Sequence, residues 1–170
     1  AVPFYGKVVV CTDHTNTADI IPQIKRPVVT FGLHKDAEVR GLNLRYNENL
    51  TIFDVKVKNE NMGEFRINAP GEHNVKNALG AMTMALELDI PFDKIQKGLE
   101  HYKGVRRRFD MKYTLENGII IVDDYAHHPS EVSSIIQAAK SGWGRRLISV
   151  FQPHLFTRTR DFYHDFAQAF

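Results

Sequence analysis

Residues 118–129, GIIIVDDYAHHP, decide the fold of the C-terminal part of this chain. Four consecutive apolar residues, 119–122, predict a buried strand, and Pro129 fits the first position of a following helix. Two carboxylates, a phenol and two imidazoles lie between the strand and the proline. Polar groups that converge at the end of a buried strand indicate a binding site there.

Outward from this stretch, the C-terminal part of the chain alternates strands with helices. The order predicts a parallel sheet built from right-handed crossover connections. The predicted elements are a strand over MKYTLENG (111–118), a strand over IIIVDD (119–124), a helix over 130–141, a strand over RRLISVF (145–151) and a helix from about residue 159.

The N-terminal part has a different pattern, and the basic stretch KGVRRRFD (103–110) marks the boundary. β-branched and aromatic residues between 37 and 69 predict an antiparallel meander, with a tight hairpin over 59–63. Apolar residues at Val75, Leu79, Met82 and Leu86 then predict a helix. The other predicted elements are strands over 7–11 and 27–33, a short helix over 17–25 and a second helix from 92 to about 102. The predicted fold class is α/β.

Composition excludes several classes of protein. The formal net charge of +2 is too small to predict nucleic-acid binding by electrostatics alone. A single cysteine excludes an internal disulfide framework. No apolar run approaches the roughly 18 residues that a membrane span requires. We expect a cytoplasmic protein that binds neither nucleic acid nor membrane.

Two polar loops are predicted to share one pocket. The strand 119–124 continues into YAHHPSE, and the strand 145–151 continues into QPHLFTRTRD. Ligands of open α/β sheets bind at the carboxyl ends of the strands, and one helix connects these two. A structural alternative exists for each residue alone, as a helix cap or a solvated side chain. The pocket would contain Asp123, Asp124, Tyr125, His127, His128, His154, Arg158 and Arg160.

Two further clusters suit a nucleotide. Asn74 and Asn77 are three residues apart on one helix face, and an amide offers the donor and acceptor that an adenine edge matches. From spacing alone, however, an N-cap and a surface residue explain them better. The arginines of GVRRRF (104–109) suit phosphate, although a solvated basic turn is the structural alternative. The chain contains no G-x-x-x-x-G-K-[ST] phosphate loop.

GEHNVKNALGA, GVRRRFD, DDYAHHPSEV and FQPHLFTRTRD, in this order, resemble the Mur ligases of peptidoglycan synthesis. FQPH…TRTRD is similar to the branch of the family that adds L-alanine. The resemblance implies that residues 1–106 are the last part of a central ATPase domain. Residues 107–170 would be the first half of a Rossmann-like domain that brings the amino acid. We expect a fragment of a longer protein, inactive alone, whose phosphate loop and principal Mg²⁺ ligands lie upstream.

The implied reaction joins L-alanine to UDP-N-acetylmuramate through an acyl phosphate made with ATP. By resemblance, Asn77 contacts adenine beside His73 and Asn74, and Asp124 holds the ribose hydroxyls. Arg107 and Arg108 would lie near the nucleotide. Tyr125, His127, His154 and Arg158 would shape the alanine site, with Arg158 on the alanine carboxylate and His127 or His154 as base.

Some features stay open at this point. Asp123 and His128 have no predicted role beyond capping the turn, and Leu155 stands where many relatives carry Arg. The resemblance places no metal ligand in this chain and does not fix the oligomeric state. The alternatives are a metal-dependent hydrolase that uses the Asp and His cluster, a non-catalytic nucleotide-binding module, and a purely structural fragment with no ligand of its own.

Overall fold

The computed structural model describes residues 2–58 and 60–170 of the chain. Backbone contacts divide it into two compact units. Unit 1 comprises the described residues up to Arg45, with Thr51–Ile67 and Glu72–Tyr102. Unit 2 comprises Tyr46–Leu50, Asn68–Gly71 and Lys103–Phe170.

Unit 1 is built on a five-stranded mixed sheet in the order β1-β2-β3-β4-β5. β1 pairs parallel with β2, β2 pairs parallel with β3, and β4 pairs antiparallel with β5. The sequence predicted the last three strands as a meander and did not predict that β3 extends the parallel part. The predicted hairpin over 59–63 includes Asn59, which lies outside the described residues. The strands are β1 (Val8–Cys11), β2 (Val28–Gly32), β3 (Val39–Asn47), β4 (Leu50–Val57) and β5 (Glu60–Ile67).

The helices of unit 1 follow the predicted apolar spacing closely. α2 (Glu72–Glu87) buries Val75, Leu79 and Met82, which are each 0% exposed. Phe53 and Phe65 of unit 1 are also fully buried, and their rings stack with centroids 6.1 Å apart. The remaining elements are α1 (Thr15–Ile20), a 3-10 turn at Ile21–Gln23 and α3 (Phe92–Glu100).

Unit 2 combines one antiparallel strand pair with three helices. β6 (Asp110–Thr114) pairs with β7 (Ile120–Asp123). α4 (Pro129–Gly142) packs on α6 (Tyr163–Ala169) through Val132, Ile136 and Phe166. A second cluster joins Phe109 to Trp143, whose rings stack with centroids 5.1 Å apart. The predicted terminal helix starts earlier than expected and is divided at Phe162 into α5 (Phe156–Asp161) and α6.

The strand predicted over 145–151 is wrong. The segment has no strand pairing, and Val150 is 97% exposed. An apolar cavity of about 210 Å³ is lined by β7, α4 and residues 147–151. Because a strand needs a neighbour to satisfy its backbone groups, an apolar run without one does not become a strand. The α/β fold class is nevertheless confirmed by the mixed sheet of unit 1 and its helices. The parallel sheet predicted for the C-terminal part is wrong for its described residues, because β6 and β7 pair antiparallel.

Candidate functional site

The polar loop between β7 and α4 is held by a capping box at the start of α4. His128 is the N-cap residue, and its Nδ1 accepts a hydrogen bond from the Ser130 N–H at 3.4 Å. Glu131 completes the box by accepting from the His128 N–H at 3.2 Å. The His128 ring also contacts the Phe162 ring, with centroids 4.8 Å apart. The cap that the sequence suggested for His128 is therefore observed.

Asp124 organises the loop through backbone amides. Its Oδ2 accepts from the Phe109 N–H and its Oδ1 accepts from the Ala126 N–H, both at 2.7 Å. Each carboxylate oxygen has a second lone pair, so the side chain can also accept from a ligand hydroxyl. Asp124 is half-buried and borders the apolar cavity. It joins the loop after β7 to the basic loop before β6.

The basic loop carries two left-handed residues, Arg107 with φ 58° and Phe109 with φ 47°. Such conformations are uncommon for side chains other than glycine, and here acids stabilise them. The Arg107 N–H donates to Asp110 at 3.1 Å, and the Phe109 N–H donates to Asp124. The backbone amides of Arg107 and Phe109, on either side of Arg108, are thus held by carboxylates rather than by a helix or sheet.

Arg107 gives Asp123 a partner that the sequence did not reveal. The Arg107 Nε lies 3.7 Å from Asp123 Oδ2, and its guanidinium carbon lies 4.7 Å from the centre of the Tyr125 ring. The Tyr125 N–H also donates to the Arg107 carbonyl at 2.8 Å. These contacts bring a predicted nucleotide residue beside a predicted alanine residue.

The contacts of His127 determine its tautomer. Its Nδ1 lies 2.8 Å from the Tyr125 carbonyl oxygen, which can only accept a hydrogen bond. Nδ1 therefore carries the proton, and Nε2 of the neutral ring keeps a lone pair. The Tyr125 ring packs against the imidazole, with centroids 4.9 Å apart. His127 can accordingly accept a proton at Nε2.

Glu131 is ionised at neutral pH. Partial burial tends to raise the pKa of this carboxyl, but hydrogen bonds from the amides of His127 and His128 outweigh it. Together with the hydrogen bond from the Arg108 guanidinium, they hold the pKa below its ordinary value.

The second predicted loop lies at the start of α5. His154 is exposed and Arg158 is half-buried, and the Arg158 Nη1 donates to the His154 carbonyl at 3.4 Å. Leu155 precedes the helix with φ 71° and ψ 119°, a conformation unfavourable for a side chain with a Cβ atom. A side-chain contact between the α5–α6 region and the 123–131 loop is that of Phe162 with His128.

The predicted adenine residues lie on the first turns of α2 in unit 1. His73 and Asn74 are half-buried, and Asn77 is exposed. Gly71, with φ 93°, precedes the helix, in a region of backbone space that glycine adopts readily. Burial of Val75 and Leu79 against the sheet orients this helix.

Asp13 in unit 1 was not among the site residues predicted from the sequence. Asp13 follows β1 and accepts from the Leu33 N–H with both oxygens, at 2.8 and 2.9 Å. Its Oδ2 also lies 3.8 Å from Lys76 Nζ on α2. The available clue was an acid directly after a buried strand, the same pattern that singled out Asp124.

The described residues do not group side chains that could bind a metal ion. Among residues 2–58 and 60–170, no three His, Cys, Asp or Glu side chains are arranged to hold an ion. Four of the five residues of the hydrolase alternative have other partners, namely Asp123, Asp124, His127 and His128. The fifth, His154, is exposed.

Family models match both parts of the chain. The Mur ligase middle domain matches residues 1–85, and the Mur ligase glutamate ligase domain matches residues 107–170. The chain belongs to the Mur ligase family. Within it, the chain is similar to a UDP-N-acetylmuramate–L-alanine ligase of Geotalea daltonii, 46% identical over 99% of this chain and 37% of that protein. The chain thus spans a little over a third of its curated relative.

Solved structures agree with this assignment. The UDP-N-acetylmuramate–alanine ligase of Thermotoga maritima has a TM-score of 0.71 and 30% identity, covering 83% of this chain and 31% of that one. The MurF ligase of the same organism, in complex with ADP, shares the fold at a TM-score of 0.67 and 18% identity, over 81% of this chain and 31% of its own. In the described residues, no helix is both long and apolar enough to cross a bilayer.

Proposed function

We propose that the full-length protein is an ATP-dependent ligase that joins L-alanine to UDP-N-acetylmuramate in peptidoglycan synthesis. The observation that carries the proposal is the 46% identity, over 99% of this chain, to an enzyme of that name. The contacts among Arg107, Tyr125 and His127 support it, because they place predicted nucleotide and amino-acid residues side by side.

A carboxylate is a poor electrophile, so the proposed reaction first activates it by phosphorylation. A carboxylate oxygen of UDP-N-acetylmuramate attacks the γ-phosphorus of ATP, and ADP leaves. The alanine amine then attacks the acyl carbon of the acyl phosphate, and phosphate departs with the original carboxylate oxygen. The protein contributes mainly positioning and charge stabilisation.

Each unit, taken by itself, carries residues proposed to contact the nucleotide. Asn77, with His73 and Asn74, would contact adenine from α2, since an amide offers both a donor and an acceptor. The free lone pairs of Asp124 would accept from the ribose hydroxyls, while its amide contacts hold the loop. The guanidiniums of Arg107 and Arg108 would neutralise nucleotide charge.

The amino-acid side is built from the loops after β7 and before α5. Arg158 would bind the alanine carboxylate, with Tyr125 and His154 shaping the site. The alanine amine must lose a proton before it attacks, and His127 Nε2 would accept it. The hydrogen bond from Nδ1 to the Tyr125 carbonyl supports this role, because it leaves Nε2 as the basic nitrogen.

Mg²⁺ is the expected partner of ATP in this chemistry, but the described part of the chain offers no fitting set of ligands. The acids near the basic loop already bind arginine or backbone amides. We therefore derive no step through the metal from these residues. Because the proposed substrates are a nucleotide sugar, ATP and a free amino acid, we place the full-length protein in the cytoplasm.

Replacement of Arg158 in the full-length protein tests the proposed amino-acid site. Arg158→Ala removes a charged contact to the alanine carboxylate, worth about 1.5–3 kcal/mol. The KM for alanine should rise by about 10- to 150-fold, while the KM for ATP changes far less. Steady-state phosphate release with each substrate varied in turn gives both constants.

Arg146→Ala is the matched control, since Arg146 is an exposed arginine of the same unit. An unchanged KM for alanine in Arg158→Ala would remove Arg158 from the site. ATP binding without alanine-dependent phosphate release in the unaltered protein would instead identify a non-catalytic nucleotide-binding module.

A further inference from the structure

The Glu131 carboxylate in unit 2 contacts a residue proposed for the nucleotide, Arg108, and a residue proposed for alanine, His127. Glu131 Oε2 accepts from the His127 N–H at 3.0 Å and from the His128 N–H at 3.2 Å. The same oxygen lies 3.6 Å from His127 Nδ1. Glu131 Oε1 accepts from Arg108 Nη1 at 3.4 Å.

These contacts exceed what a helix cap requires. A capping box needs a single acceptor at the third helical position to satisfy the N-cap amide. Glu131 meets that requirement with Oε2 alone and directs Oε1 to the guanidinium of Arg108. A glutamine would also supply an acceptor to these amides, so the cap alone does not account for the contact of Oε1 with Arg108.

The charge is present under working conditions and has a defined partner. The pKa of Glu131 lies below its ordinary value, so the carboxyl is ionised at neutral pH. Arg108 lies between the left-handed residues Arg107 and Phe109, whose amides are held by Asp110 and Asp124. Glu131 therefore acts on the Arg108 side chain, while the two aspartates fix the backbone on either side of it.

We propose that Glu131 is a positioning residue that holds the Arg108 guanidinium and the His127 imidazole at a set separation. The inference rests on the proposed function, in which Arg108 serves the nucleotide and His127 serves alanine. Both substrates must be correctly placed for the amine to reach the acyl phosphate. Because Glu131 contacts both Arg108 and His127, its carboxylate couples the placement of the nucleotide to the placement of alanine.

The test uses the full-length protein with Glu131→Gln and Glu131→Ala. Glutamine keeps an acceptor for the amides, so the thermal midpoint of Glu131→Gln should stay near that of the unaltered protein. Loss of the charge should raise the KM for ATP and the KM for alanine by about 2- to 5-fold each, the range for a partly exposed ion pair. Glu131→Ala should show the same kinetic loss together with a lower midpoint, because it also loses the cap.

A double-mutant cycle separates action through Arg108 from a direct effect. In the Arg108→Ala background, Glu131→Gln should leave the KM for ATP nearly unchanged, because its partner is already absent. The KM for alanine should still rise through His127. Glu116→Gln, the same chemical change in the exposed β6–β7 turn, is the control and should match the unaltered protein.

Kinetic constants for Glu131→Gln equal to those of the unaltered protein, with only Glu131→Ala less stable, would overturn the inference and leave Glu131 as a cap. Equal increases of the KM for ATP with and without Arg108 would overturn it as well. If the unaltered full-length protein shows no alanine-dependent phosphate release, the proposed function fails and this inference fails with it.

Discussion

The Asp124 carboxylate accepts two backbone hydrogen bonds of 2.7 Å, from Phe109 and from Ala126. Its neighbour Asp123 lies instead 3.7 Å from the Arg107 guanidinium. Adjacent acids of the same type thus have different tasks, one ordering the backbone and the other facing a side chain. The difference follows from the strand, because successive residues of an extended chain point to opposite sides.

Asp124→Ala should release both amides that the side chain holds. Hydrogen bonds to a charged group contribute about 1.5–3 kcal/mol, so amide exchange at Phe109 and Ala126 should become faster by about tenfold or more. The KM for ATP should rise in the same variant if Asp124 also binds ribose. Residue-resolved hydrogen exchange and steady-state kinetics on the full-length protein measure the two effects.

Asp161→Ala is the matched control, because Asp161 is an exposed aspartate whose partner is the adjacent Arg160. Unchanged exchange at Phe109 and Ala126 in Asp124→Ala would contradict the structural role. A changed exchange rate with an unchanged KM for ATP would leave Asp124 as a loop-ordering residue only.

The positions of the polar site residues were predictable from the sequence, whereas the partners that these residues contact were not. The polar cluster after β7 was visible because it interrupts an apolar run, and the N-cap role of His128 followed from the proline after it. The pairing of Arg107 with Asp123 joins residues 16 positions apart through two left-handed turns. No local pattern encodes such turns when the residues are not glycine.

α4 shows how an element can be predicted from local chemistry. His128, Pro129 and Glu131 provide the cap, the first-turn proline and the first-turn acid, and the helix begins where these residues predict. α2 was equally clear, because its buried face repeats at helical spacing. In both helices the determining contacts lie within a few residues along the chain.

The cap of α4 should depend on pH through Glu131. The folded-state pKa of Glu131 is lowered, so its stabilising contribution is fully present above the unfolded value of about 4.5. The contribution is lost as the pH falls through the lower folded-state value. The amides of His127 and His128 should therefore exchange faster, relative to the rest of α4, as the pH falls below about 4.5.

Glu131→Gln provides the comparison, since glutamine does not titrate. The difference in protection at these two amides between the unaltered protein and the variant should shrink between about pH 6 and pH 3. A difference that stays constant over this range would contradict the lowered pKa of Glu131.

The segment 145–151 shows where prediction from the sequence stops at the level of elements. RRLISVF has strand composition, yet its backbone forms no strand pairing and Val150 is 97% exposed. A β-strand needs a neighbouring strand, which is often distant in the sequence, whereas a helix satisfies its own backbone hydrogen bonds. The apolar cavity beside β7 lies between β7 and this segment.

At the scale of the whole molecule, each unit carries its own set of residues with proposed roles. The adenine residues belong to unit 1, and the arginines, Asp124 and the alanine residues belong to unit 2. The family was recognisable from the sequence because its motifs are long and ordered along the chain. The convergence of the two loops on one pocket stays a prediction, because it rests on a strand pairing that the described residues 145–151 do not form.

The most direct test of the ligase reaction follows one oxygen atom. The full-length protein is given ATP, L-alanine and UDP-N-acetylmuramate labelled with oxygen-18 in the lactyl carboxylate, and the released phosphate is analysed by mass spectrometry. Passage through an acyl phosphate predicts one labelled oxygen in each phosphate, with release dependent on alanine. Unlabelled phosphate, or equal release without alanine, would contradict the ligase mechanism.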